Sequence, residues 1–277
     1  MSFKAIAMDL DGTLLNSQKK ISPATKKALL TLQKKGIKLI LASGRPTPGL
    51  MDYARELSLD KFGGVILSFN GAHVLNVQTK QTLFAQTLAP EKVQQILTHL
   101  QQFKVKTMIC HKEYMYVEDV FDNQIEVNQK KRNIIEYEAR AGHYKLCEVD
   151  ELARFCDFPL YKILTAASPV YLKSHYQAMR EPFKDEVSAL FSDPFYFEFT
   201  ARGVTKGYGL NQLLPQLGIK KEELLAFGDG ENDRTMLEYA GLGVVMGNAS
   251  EELKQAADQV TLTNDQDGIV KVLSQYF

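Results

Sequence analysis

No apolar stretch in this 277-residue sequence reaches the roughly 20 residues that a membrane-spanning helix needs. A surplus of one charge is missing as well. Thirty-three basic residues balance 33 acidic ones, so no global field draws the chain to nucleic acid or to an anionic membrane. No arginine-rich stretch interleaved with aromatics supplies a local substitute, and any anionic ligand has to be held by a local site. Cysteine is scarce: Cys110, Cys147 and Cys156 are odd in number and show no CxxC spacing. That argues against a disulfide framework or a zinc site and suits spare thiols in a reducing cytoplasm. The start, MSFKAIAMDLDGT, has too short an apolar run for a signal peptide, and acidic residues follow at once, so a cytoplasmic location is expected. Internal repeats, low-complexity tracts and long linkers are lacking too.

What is present is ordinary globular material, 45% hydrophobic and 24% charged, enough for one large domain or two smaller ones. The first part alternates strand and helix. Residues 3–8 (FKAIAM), 37–43 (IKLILAS) and 64–71 (GVILSFNG) are short apolar runs of buried-strand length. Between the first two, Ser22 and Pro23 read as an N-cap and a first-turn proline. Ala28, Leu29 and Leu32 share a helical face, and Gly36 ends the helix. A second helix follows Pro46, with Leu50, Tyr53, Ala54 and Leu57 on one side. This βαβαβ order predicts a parallel sheet covered on both faces, an α/β fold. Residues 73–77 and 82–86 read as a hairpin.

From there to about residue 200 the strands are shorter and more polar, at 105–110, 114–118, 161–166 and 195–200, with helical patterns at 90–102 and 169–181. The change of texture predicts an α+β domain, residues 84–200, inserted into a discontinuous core of residues 1–83 and 201–277. The α/β texture returns with a helix at 206–217, a strand at 224–229, a helix at 231–240, strands at 241–247 and 258–262, and a last helix at 268–275.

Four clusters fall at the ends of predicted parallel strands, where ligands of open α/β sheets bind. The first is Asp9-Leu10-Asp11-Gly12-Thr13. Two carboxylates this close repel unless a cation or proton intervenes. With magnesium present, one serves as nucleophile and the other as general acid. A solvated acidic turn is the plain alternative, but DxDGT directly after a buried strand is a specific signal. The second, Ala42-Ser43-Gly44-Arg45, offers a hydroxyl and backbone amides to a phosphate, or simply a helix cap. The third, Lys206 at a helix start after Gly203, is a compact charge suited to phosphate, or a solvated lysine. The fourth is Gly228-Asp229-Gly230-Glu231-Asn232-Asp233. Asp229 sits at a strand end, as a magnesium ligand should, and Asp233 lies four residues on; Glu231 reads as an acidic helix cap.

In this order the clusters resemble the four motifs of the haloacid dehalogenase (HAD) superfamily, and more closely its Cof-type, class IIB phosphatases. DLDGTLL (9–15), ASGR (42–45), NGA (70–72), GVTKG (203–207), FGDGENDRTML (227–237), VMGNA (245–249) and DQDGIV (265–270) carry the likeness. It implies a Rossmann-like parallel sheet core with a C2B-type cap, and a magnesium-dependent phosphatase acting on small phosphate esters, such as sugar phosphates, through an aspartyl-phosphate. On this resemblance Asp9 is the nucleophile. Asp11 is the acid/base, and its carbonyl reaches the metal. Asp9, Asp11 and Asp229 hold Mg2+. Leu10, Ser43, Gly44, Lys206 and Asn232 hold phosphate. Asp233 acts behind the metal, directly or through water, and Arg45, Asn70 and Gly71 line the site. The partner expected is a small-molecule phosphate ester, with no nucleic acid and no membrane; oligomeric state is not legible.

The inserted domain is expected to act as a lid that chooses the substrate, with the strands around Met108–His111 and Tyr161–Thr165 as its reading surface. His111, Tyr114, Tyr116, His143 and Tyr161 are the aromatics and histidines from which a contact would come. A phosphosugar mutase with the same nucleophile, or a non-catalytic binding protein on the same fold, are the competing readings. A mutase needs a cap that retains a bisphosphate. A binding protein would lack one of Asp9, Asp11, Lys206 or Asp229, and all four are present.

Overall fold

Apolar runs of four or five residues cannot bury their own faces, and here they do so side by side. In a computed structural model describing residues 3–127 and 130–277, β1 (Ala5–Met8), β2 (Lys38–Ala42) and β3 (Val65–Ser68) lie parallel in one sheet. Its full order is Gln259–Val260, Leu242–Val245, Leu224–Gly228, β1, β2, β3, His73–Asn76, Thr82–Ala85. The first six strands are parallel and the last two are added as antiparallel hairpins. Alternation of side chains along β1 splits the core into two layers. Ile6 and Met8 pack with Leu29, Leu32, Leu39, Phe227 and Val272 on one face. Ala5 and Ala7 pack with Ile40, Leu67, Leu210 and Met236 on the other.

The helix Pro23–Lys34 starts as its sequence dictates. Ser22 Oγ accepts the Thr25 amide at 3.0 Å, Pro23 occupies the first turn, and Leu29 and Leu32 are buried. Gly36 takes the left-handed conformation (φ +91°) just beyond the helix, where a Cβ would be strained. The expected helix after Pro46 is broken into a 3-10 turn, Thr47–Leu50, and a short helix, Met51–Glu56. Leu50, Ala54 and Leu57 are still buried, and Tyr53 half-buried.

The chain divides into two compact units, residues 1–85 with 205–277, and residues 86–204. The second unit has its own six-stranded sheet, in the order Lys145–Glu148, Tyr114–Val117, Lys106–His111, Lys162–Ala166, Tyr196–Ala201, Val187–Asp193. All neighbours are antiparallel except the first pair. Pro90–Leu100 and Pro169–Arg180 bury Val93, Ile96, Leu97 and Leu172 against Ile163, Phe197 and Phe199. Ile134–Ala141 covers part of the opposite face, with Met108, Met115 and Leu164. The two strands nominated as a reading surface are neighbours at the centre of this sheet, and Met108, Ile109, Ile163, Leu164 and Thr165 are buried. The side chains of these five belong to the unit's own interior, while Cys110, His111, Tyr161 and Lys162 are half-buried. Of the nominated rings, His111 lies 4.1 Å from Phe158 and Tyr116 lies 4.7 Å from Phe155.

The three cysteines are free thiols. Burial pushes Cys110 up to about 12 and Cys156 up to about 11, so both stay protonated and unreactive at neutral pH. Among the described residues no helix is long and apolar enough to cross a membrane.

Candidate active site

The strand order reverses at β1. The chain leaves it toward β2 on one side and returns on the other as Leu224–Gly228, in register Met8 with Phe227. Asp9 and Asp229 are the residues that immediately follow these two neighbouring strands. Asp9 is pinned by its amide, which donates to Phe227 O at 3.0 Å. Ser43 follows β2 and donates its amide to Leu67 O at 2.9 Å. Three of the four sequence clusters therefore meet because three parallel strands end together.

Lys206 is the remaining cluster. It is the first residue of the helix Lys206–Leu213, whose cap is Thr205. A lysine is electrostatically unwelcome at a helix N-terminus, and this one is fully buried. Two carboxylates compensate: Nζ lies 2.5 Å from Asp9 Oδ1 and 2.5 Å from Asp233 Oδ1. Asp233, also fully buried, spends its other oxygen on the amides of Asp229 and Gly230, each at 2.9 Å. It thereby folds the Gly228–Asp233 loop around Lys206. Glu231, by contrast, is a surface partner of Arg234, at 2.6 and 2.8 Å.

Carboxylate oxygens of Asp9, Asp229 and Asp233 lie within 4.8 Å of one another. One ammonium faces three carboxylates, and the electrostatics record the surplus. Burial, with the Asp233 charge adding to it, raises Asp9 to about 8 against the pull of Lys206. Burial also raises Asp229 to about 6, although the Thr13 hydroxyl opposes it. Burial works against the Lys206 ammonium, but Asp233 and Asp9 outweigh it and keep the group charged. A site of hard oxygen donors, crowded and short of positive charge, fits a divalent cation such as magnesium.

Asp11 is held apart from this cluster. Burial would raise it, but the Arg45 guanidinium grips it as a fork, Nε to Oδ2 and Nη2 to Oδ1, both at 2.7 Å. Lys19 Nζ adds a contact at 2.7 Å, and the net effect holds the carboxyl below its ordinary range. Asp11 has no carboxylate in the acidic cluster, and Asp233 does. Leu10 points into the core, leaving only its main chain for a ligand. Ser43 is buried, with Oγ accepting the Arg45 amide at 3.2 Å. Gly44 lets Asn70 approach; an added Cβ would stand 3.1 Å from Asn70 Oδ1. Asn70, left-handed at φ +55°, accepts from Asn232 Nδ2 at 3.1 Å and so ties two strand-end loops together. Gly71 is a packing residue: a Cβ there would strike the backbone of Thr205, just before Lys206.

The sequence did not single out three contributors. Thr13 donates to Asp229 Oδ1 at 2.6 Å, and Asn248 donates to Gly12 O and toward Asp229 Oδ2, at 2.9 and 3.3 Å. Both sit inside motifs that were visible, DxDGT and VMGNA. Lys19 sits in a polar run, SQKK, and carried no signal.

A parallel sheet with this charge arrangement at its carboxyl edge defines an α/β enzyme for an anionic ligand. The pattern of the haloacid dehalogenase-like hydrolases matches residues 6–273, and the chain belongs to that family. It is 30% identical over 298 aligned positions to the phosphatase YwpJ of Bacillus subtilis, covering 98% of each chain. The crystal structure of a haloacid dehalogenase-like hydrolase from Bacteroides thetaiotaomicron superposes with TM-score 0.90 at 33% identity, covering 100% of both chains. The HAD subclass IIB sugar phosphatase BT4131 superposes with TM-score 0.79 at 25% identity, covering 99% of this chain and 98% of that one. The protein is a Cof-type phosphatase, a phosphoric monoester hydrolase.

Proposed function

We propose that this phosphatase hydrolyses small phosphate esters, sugar phosphates or similar phosphometabolites, by passing the phosphoryl group through Asp9 with magnesium bound beside it. The observation that carries the reading is the buried lysine shared by Asp9 and Asp233 next to Asp229. The substrate class is supported by the likeness to a sugar phosphatase.

Asp9, Asp229 and the carbonyl of Asp11 are the groups that would hold the cation. Bound there, it supplies the missing positive charge, which favours Asp9 as a carboxylate and offsets charge on the transferring phosphoryl. Lys206 orients the Asp9 carboxylate and can turn a donor to a phosphate oxygen. Ser43, with backbone amides of Leu10 and Gly44, and Asn232 complete the phosphate cradle. In the first step an Asp9 oxygen forms a bond to phosphorus as the ester P–O bond breaks, and Asp11 gives its proton to the leaving oxygen. In the second, Asp11 takes a proton from water, the water oxygen bonds to phosphorus, and the Asp9–phosphorus bond breaks to release phosphate. Splitting hydrolysis in this way makes two easier steps. The Arg45 fork holds Asp11 ionised, the form required to take a proton from water. To donate a proton in the first step, Asp11 must first leave that grip and take up a proton from solvent, which it then passes to the leaving oxygen.

The test is a hydrolysis panel of sugar, polyol and nucleotide phosphates with magnesium and with EDTA, run on the wild type and on Asp9→Asn. Turnover that needs magnesium and vanishes in a folded Asp9→Asn protein is expected. Substantial activity in that variant, or full activity in EDTA, overturns the mechanism.

A further inference from the structure

Two motifs of the sequence, VMGNA and DQDGIV, have no part in the reaction described above. The first meets the site through Asn248, which is bonded to Asn264, the residue just before the second. Asn248 Nδ2 donates to Gly12 O at 2.9 Å and reaches Asp229 Oδ2 at 3.3 Å. Its Oδ1 accepts the amide of Asn264 at 3.1 Å. The Asn264 side chain in turn donates to Leu15 O at 2.8 Å. Further out, Asp265 Oδ1 accepts the Ser17 amide at 2.8 Å, and Asp267 accepts from the Ser22 hydroxyl. One amide thus spans the turn that carries Asp9 and Asp11 and the strand end that carries Asp229.

The geometry points to Asn248 as a positioning residue for the cation site; we infer that it sets the orientation of Asp229, and through it the affinity for magnesium. The inference rests on the metal reading above. Thr13 fixes one Asp229 oxygen at 2.6 Å, and with that bond alone the carboxylate still swings about it. The Asn248 contact to the second oxygen removes the swing. Its bond to Gly12 O holds the Asp9–Thr13 turn at the same distance from Asp229. Gly12 makes this close approach possible, because a Cβ at that position would fall on the Asp229 carboxylate. Groups that orient a metal's ligands in this way typically change metal affinity about 10–100-fold when removed. A plain staple between two loops predicts something different: lost stability and unaltered affinity.

The test measures magnesium binding directly, by isothermal titration and by the magnesium-induced rise in Tm, on wild type, Asn248→Ala and Asn264→Ala. The Asn264 change removes the bond to Leu15 but leaves its backbone amide for Asn248. Asn248→Ala is expected to weaken magnesium about 10–100-fold, and Asn264→Ala to lower Tm with magnesium affinity within about twofold of wild type. If Asn248→Ala does not fold, Asn248→Gln, which keeps the amide but displaces it by one methylene, reads the same effect. Magnesium binding within twofold of wild type in the Asn248 variant, or equal weakening in both variants, overturns the assignment. A wild type that binds no magnesium overturns the metal reading and this assignment together.

Discussion

Stripped of metal, the protein should grow more stable as the pH is lowered from about 8 to about 6.5, the reverse of a fold held by ordinary ion pairs. Asp9 is the cause. Its carboxyl is raised from 3.8 to about 8, first by burial and then by Asp233. Between those two values the folded chain holds a proton that the unfolded chain has released. Stability depends on pH as 2.303RT times the protons bound by the unfolded state less those bound by the folded state, so the slope is negative across this window. The contribution is complete below roughly pH 4 and is lost progressively as pH rises toward the folded value. One proton is worth at most about 1.4 kcal/mol per pH unit, hence up to about 3 kcal/mol between pH 5 and 7. Asp229, raised to about 6, adds to the same slope at the acid end. Asp11 is shifted downward, so its opposite effect falls at more acidic pH; His73 and His111, both lowered from 6.5 by burial, oppose the slope below about that pH. Magnesium competes with the proton at Asp9 and should flatten the profile, stabilising the protein more at pH 8 than at pH 5. Urea unfolding at a series of pH values, in EDTA and in magnesium, measures this, with Asp9→Asn as the control that lacks the titrating group. A flat or rising profile in EDTA between about pH 6.5 and 8, or an Asp9→Asn protein that keeps the wild-type slope, refutes the reasoning.

Replacing Lys206 by Met leaves Asp9 and Asp233 buried without their cation, and urea unfolding at neutral pH should register a loss of about 3–5 kcal/mol. Asp11→Asn deprives the leaving oxygen of its proton, so kcat should fall about 10²–10⁴-fold while the Tm changes little; an unaltered kcat removes Asp11 from the acid/base role. Gly12→Ala puts a side chain at φ +84° and against the Asp229 carboxylate. It should cost about 1–2 kcal/mol and raise the magnesium needed for half-maximal activity, both read from the same purified variant. Asp229→Ala should likewise raise the magnesium requirement or silence the enzyme, whereas Glu231→Ala, at a surface ion pair with Arg234, should leave turnover within about twofold.

Much of the first unit is legible in the sequence. β1, β2, β3 and Leu224–Gly228 are near-continuous apolar runs because they are buried on both faces, and such runs announce themselves without alternation. The Ser22-Pro23 start of the first helix is local chemistry and needed no partner. The second unit was harder. Lys145–Glu148 and Lys130–Asn133 are half-exposed or exposed strands of sequence KLCE and KKRN, whose pairing is decided by neighbours rather than by their own composition. The helix Ile134–Ala141 was missed for a related reason: only Ile134, Ile135 and Ala139 face the core, too few to mark a period.

The site divides along the same line. Asp9, Asp11, Ser43, Lys206, Asp229 and Asp233 were readable because each residue type, at a strand end or helix start, already limits its chemistry. Sequence alone determined the fold class, the family resemblance and the set of charged groups that a phosphoryl-transfer site would draw on. Tertiary structure alone decided how those charges pair: that Lys206 sits between Asp9 and Asp233, that Arg45 and Lys19 hold Asp11 away from the acidic cluster, and that Asn248 reaches Asp229. These contacts join residues up to 197 positions apart. Strand register and helix packing bring them within hydrogen-bonding distance, and no local pattern along the chain encodes a separation of that kind.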